Sequence, residues 1–89
     1  MERPEITVSD LNMVITVLQR HMAEVLNRKG PGAFISSHEI LGVLTDERSE
    51  TIAAIQSKSG LDAIRHELLD EATTALFGVA CIDAGTLDW

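Results

Sequence analysis

Four acidic residues at matched spacing are the part of this chain that can do chemistry. Glu47-x-x-Glu50 and Glu67-x-x-Asp70 lie in separate amphipathic segments, with sixteen residues between Glu50 and Glu67. A three-residue step puts both side chains of a pair on one face of a helix, so two helices packed side by side aim four carboxylates at one place. Carboxylates gathered that closely repel, and the repulsion is relieved by protonation or by a hard divalent cation that prefers oxygen ligands. The pattern points to a magnesium site.

Three helices must position these acids. The first is expected over about residues 9–29, opened by Ser9 or Asp10 as N-cap, with Leu11, Val14, Ile15, Leu18, Met22, Val25 and Leu26 at three- and four-residue intervals. Gly30-Pro31-Gly32 ends it, and Arg28 and Lys29 suit the negative end of its dipole. Ser36-x-x-Glu39 reads as a capping box that opens a second helix over about 37–57. Its apolar residues Ile40, Leu41, Val43, Leu44, Ile52 and Ile55 share one side, and Glu39, Asp46, Glu47 and Glu50 border it. Ser59-Gly60 interrupts the chain, and Asp62 is expected to cap a third helix over about 62–84. Gly78, with Ala72, Ala75 and Ala80 nearby, leaves room for another helix to approach, and the tail from Asp83 to Trp89 reads as short and irregular.

Composition sets the class. With 89 residues the chain fits a single domain. Hydrophobic residues are 45% of it and aromatics only 3%, a balance that suits packed helices better than a β sandwich, so an all-α bundle is expected. Three helices of this length make a thin core, and a four-helix layer completed by a second copy would bury more. A homodimer or a dimer of dimers is the expected assembly, with a monomeric three-helix bundle as the alternative. The net charge of -7 argues against nucleic-acid binding, which relies on Lys and Arg to displace counterions. Cys81, the single cysteine, reads as a small buried residue in a reducing compartment. The N-terminal Met-Glu-Arg-Pro-Glu lacks a signal-peptide layout and no apolar run reaches membrane-spanning length, so a soluble cytoplasmic protein is expected, with no membrane partner.

The order E-x-x-E, spacer, E-x-x-D resembles the signature of the all-α nucleoside triphosphate pyrophosphohydrolases, the MazG-like superfamily that includes dimeric dUTPases and phosphoribosyl-ATP pyrophosphohydrolases. The stretch His38-Glu39-Ile40-Leu41-Gly42-Val43-Leu44-Thr45-Asp46-Glu47, followed by His66-Glu67-Leu68-Leu69-Asp70-Glu71-Ala72, is similar to segments of small phage- and cassette-type relatives. The resemblance covers roughly Ser36 to Ala84. It implies hydrolysis of a nucleoside triphosphate to the monophosphate and pyrophosphate, with a house-cleaning role against noncanonical nucleotides, and Mg²⁺, or Mn²⁺ in its place, held by Glu47, Glu50, Glu67 and Asp70. A carboxylate that the metal does not fully use could orient the attacking water, and Glu47 and Glu39 are the candidates.

Three positions depart from the family's pattern. Asp46 replaces a glutamate, Glu71 replaces an apolar residue, and Arg48 projects near the middle of the second helix's apolar side. Arg48 is expected either to pair with an acid across a subunit interface or to snorkel outward. For a nucleobase the chain offers Phe34 and Trp89, with Phe77 expected in the core; for phosphate it offers Arg28, Lys29, Lys58 and Arg65. His21, His38 and His66 read as solvated or capping residues, and neither His-Glu pair has the second histidine of a zinc protease. Two readings compete with the enzyme: a catalytically inactive helical interaction module that keeps a MazG-like bundle, and a partner-neutralising protein such as an antitoxin, which the acidity alone would fit.

Overall fold

In a computed structural model, which describes residues 2–89, the chain is all helical. The helices are α1 (Val8–Lys29), α2 (Ser37–Gln56) and α3 (Leu61–Asp83), with no strand among the described residues. α3 is the shared element: α2 lies along it as an antiparallel hairpin, and α1 rests against it. The bounds match the sequence reading to within about a residue, but the N-caps of α1 and α3 do not.

α1 starts earlier than expected because Thr7, not Ser9 or Asp10, is its N-cap. The Thr7 hydroxyl accepts from the Asp10 amide at 3.1 Å, and the Asp10 carboxylate accepts from the Thr7 amide at 2.9 Å. This is a capping box built with aspartate in place of the usual glutamate. Those bonds to Thr7 hold the Asp10 carboxyl below its ordinary range. Ser36 caps α2 as expected, although Glu39 accepts from the amide of Ile35 rather than from that of Ser36. Asp62 caps nothing: Gly60 occupies the N-cap at φ 103°, and Asp62 lies in the first turn, where its charge still suits the helix dipole.

The tail is irregular but pinned. Gly85, at φ 73°, closes α3 in a Schellman motif, with Thr86 N–H donating to Cys81 O and Gly85 N–H to Ile82 O. Beyond it Thr86 Oγ1 donates to Phe34 O, Asp88 N–H to Ile35 O, and Ser37 N–H to Trp89 O. The segment entering α2 is thereby tied to the end of α3. Trp89 lies against His38 at 4.6 Å between ring centroids, and Phe34 meets Phe77 edge to face at 5.3 Å.

The apolar faces remain largely uncovered. Buried positions are few and small: Thr51, Ala54, Thr73, Gly78 and Cys81, the last as expected. α1 buries no residue, and Leu11, Val14 and Ile15 on α1, Ile52 and Ile55 on α2, and Leu76 and Val79 on α3 are all exposed. Phe77, expected in the core, is half-buried. The radius of gyration is 15.0 Å, against about 12 Å for a compact domain of this length. The physical reason is geometric: with α1 against one side of α3 and α2 against another, each helix keeps an outer apolar stripe that nothing in the chain can reach.

Where α2 and α3 meet closely, Gly78 faces the Ile40 side chain. A Cβ at that position would lie 3.5 Å from the Ile40 side chain, an ordinary contact. Gly78→Ala is expected to be neutral or to stabilise by up to about 1 kcal/mol through helix propensity. Gly78→Leu is expected to displace Ile40 and cost about 1–3 kcal/mol. Urea unfolding of the two variants measures both effects.

Candidate metal centre

The α2–α3 hairpin sets the register of the acids. Glu50 and Glu67 are equally far along the chain from the midpoint of the turn, and so are Glu47 and Asp70, so an antiparallel pairing brings the two E-x-x-acid pairs level. Each of the four offers an oxygen, and these oxygens all lie within 4.8 Å of one another. The sequence-predicted set therefore comes together as one cluster.

Two of its atoms lack what an enclosed polar atom needs. Glu47 Oε2 and Glu67 Oε2 are shut off from solvent and have no hydrogen-bond partner. A buried acceptor left unpaired costs about 1–3 kcal/mol, and more when it is charged. The donor set is all oxygen and formally fourfold negative, which fits a hard cation such as Mg²⁺ or Mn²⁺ and fits a soft thiolate-preferring metal poorly.

The electrostatics agree with crowding. Burial first, then the charges of Glu50 and Asp70, raise the Glu47 carboxyl above its ordinary value of 4.5, while Lys29 pulls it back. Glu67 is raised by the same causes in the same order, with His66 opposing.

Asp70 is the best-supported of the four. His21 Nε2 lies 2.6 Å from its Oδ1, and His66 Nε2 lies 3.4 Å from its Oδ2, with the two imidazoles edge to face at 5.4 Å. The expectation that His21 is merely solvated or capping is corrected here: it is 11% exposed and reaches Asp70 from another helix, whereas His66 is 60% exposed and solvated as expected. The signal available in sequence was the place of His21 on the apolar side of α1, between Leu18, Met22 and Val25, where a solvated histidine does not belong. His66 stands four residues before Asp70 and so shares its helix face.

Several other expected residues are not part of the cluster. Glu39 is engaged at the start of α2, roughly 12 Å along the axis from Glu47 at the helical rise, and is no candidate to orient water there. Arg48 pairs with Glu71 at 2.6 Å inside the chain, which replaces the expected pairing across a subunit interface. Arg48 is 69% exposed, so the pair contributes at most about 1 kcal/mol. It also gives the departure at Glu71 a partner. Of the four basic candidates, Lys29 is the one whose charge reaches Glu47. Arg28, Lys58 and Arg65 are exposed and enter no ion pair among the described residues.

A cleft of about 560 Å³ opens beside the acids, lined by Met22, Leu26, Phe34, Val43, Thr73 and Phe77, with Lys29 also in its wall. Val43 is one helical turn before Glu47, and Thr73 is three residues after Asp70. Thr73 is buried, and its Oγ1 has no hydrogen-bond partner. Phe34 is in this cleft, whereas Trp89 is engaged by His38.

Comparisons with protein-family models, with curated proteins and with solved structures return no match.

A carboxyl whose proton affinity is higher folded than unfolded stabilises the fold fully below its unfolded value, and the contribution is lost as pH rises through the raised value. In chelator, acidification from neutral pH toward 4.5 is therefore expected to add stability through Glu47 and Glu67. The double substitution Glu47→Gln, Glu67→Gln is expected to flatten that dependence and raise stability at neutral pH. Urea midpoints across the pH range check it; an unaltered profile in the double variant would contradict the shifts.

Proposed function

We propose that this protein is a metal-dependent nucleoside triphosphate pyrophosphohydrolase, cleaving a nucleoside triphosphate to the monophosphate and pyrophosphate. The observation that carries the reading is the convergence of Glu47, Glu50, Glu67 and Asp70, with enclosed oxygens of Glu47 and Glu67 left without a partner. The E-x-x-E and E-x-x-D segments resemble the MazG-like superfamily, and the observed helical hairpin is a scaffold such a site requires. A bound Mg²⁺ would neutralise phosphate charge and activate a water molecule. Glu47, whose proton affinity is raised, is the carboxylate suited to accept the proton of that water as its oxygen bonds to phosphorus and the bridging bond to pyrophosphate breaks. Lys29 would meet triphosphate charge at the cleft, and the apolar cleft with Phe34 and the Thr73 hydroxyl would take the nucleoside.

The assembly proposed with this function is a homodimer or a dimer of dimers. With no fully buried large side chain among the described residues, and with exposed leucine, isoleucine or valine on all three helices, the chain has an unmet need for burial. No helix among the described residues is long and apolar enough to cross a membrane, and the lone buried Cys81 suits a reducing cytoplasm. The same uncovered surface also favours a second reading, in which the chain is an inactive helical interaction module.

Pyrophosphate release from a panel of canonical and modified nucleoside triphosphates, with Mg²⁺, Mn²⁺ or chelator, separates the two. Release that requires the metal and falls on the order of a hundredfold or more in Glu50→Ala, with helix content unchanged, is the expected result. A folded wild type that releases none would favour the module. Sedimentation velocity is expected to give at least twice the 9.7 kDa chain mass, and Val14→Asp with Ile15→Asp to shift it toward the monomer. A monomeric wild type would overturn the proposed assembly.

A further inference from the structure

Asp70 differs from the other three acids in that another helix holds it. Its Oδ1 lies 2.6 Å from His21 Nε2 in an enclosed setting, whereas its Oδ2 has only the 3.4 Å contact to His66, which is 60% exposed. Glu47 and Glu67 by contrast each present an enclosed oxygen with no partner. Among the described residues this is also the one hydrogen bond between α1 and another helix. A short aspartate side chain has few contacts of its own to fix its orientation, and a donor of fixed position supplies that orientation. We infer that His21 positions Asp70 for cation binding, which makes α1 a working part of the site as well as a packing helix. The inference rests on the reading of the carboxylate cluster as a cation site.

The contact requires the proton on Nε2, so His21 donates and Oδ1 accepts. With Oδ1 committed to this enclosed bond, Oδ2 is the oxygen left for a cation, because its partner His66 is exposed, distant and free to turn into solvent. Such outer-lying donors hold a ligand at the angle the metal needs, and their loss weakens metal binding about 10- to 100-fold. An imidazole does this without adding a fixed positive charge that would compete with the cation, as an arginine or lysine at the same place would.

The test compares His21→Gln, which keeps an amide donor at about the reach of Nε2, with His21→Met, which fills similar volume without one. Both substituents favour helix, so the pair differs in donor more than in folding. Mn²⁺ affinity is read by calorimetry or by the spin-resonance signal of free ion, with helix content and unfolding midpoint recorded alongside. The expected result is near wild-type affinity in His21→Gln and about 10- to 100-fold weaker binding in His21→Met, at equal helix content. Equal affinity in the two variants, in a protein whose Mn²⁺ binding Glu67→Ala abolishes, would overturn the role of His21 alone. A wild type that binds no Mn²⁺ would overturn the cation site, and this inference with it.

Discussion

Holding four carboxylates together is the constraint on which this structure turns. Their oxygens converge within 4.8 Å, a separation at which two unit charges repel by about 3 kcal/mol at an effective dielectric of 20, and less where water screens them. A fold of 89 residues with a thin interior has little stability to spend against such repulsion. The crowding shows in the carboxyls of Glu47 and Glu67, which burial and their acidic neighbours hold above the ordinary range, while His21 holds Asp70 by a hydrogen bond. A divalent cation would relieve the crowding, including at the oxygens that now have no partner. Site and stability are thus coupled: the feature that would do chemistry is also the one that most disfavours the folded chain without metal.

The hairpin explains why the site can exist in so short a chain. Two antiparallel helices joined by a short turn put residues at equal distances from that turn side by side, so the sixteen-residue spacer is itself the device that aligns the two pairs. Ile40 packs against Gly78 further along the same hairpin, and the tail fastens the entry of α2 to the exit of α3. α1 is less bound to this unit. It buries no residue, and His21 is its polar tie to α3.

Local pattern made the helices and the acidic cluster legible in the sequence, because three- and four-residue periodicity and paired spacing are properties of the chain itself. What was not legible depends on partners from elsewhere. His21 reads as an ordinary histidine until α1 is laid against α3. Thr7 is harder to see as a cap, because its capping box closes on an aspartate, Asp10, in place of the usual glutamate or glutamine. Arg48 was expected to look outward for an acid that stands instead on the neighbouring helix, at Glu71. The apolar faces and the thinness of a three-helix core are both legible in the sequence, whereas which stripes stay exposed depends on how the helices are laid together.

The most direct measurement is anomalous diffraction from crystals grown with Mn²⁺, recorded on either side of the manganese edge. The account predicts an anomalous peak bounded by Glu47, Glu50, Glu67 and Asp70, with His21 still on Asp70. Ordered carboxylates with no peak among them, or a peak held by other residues, would contradict it.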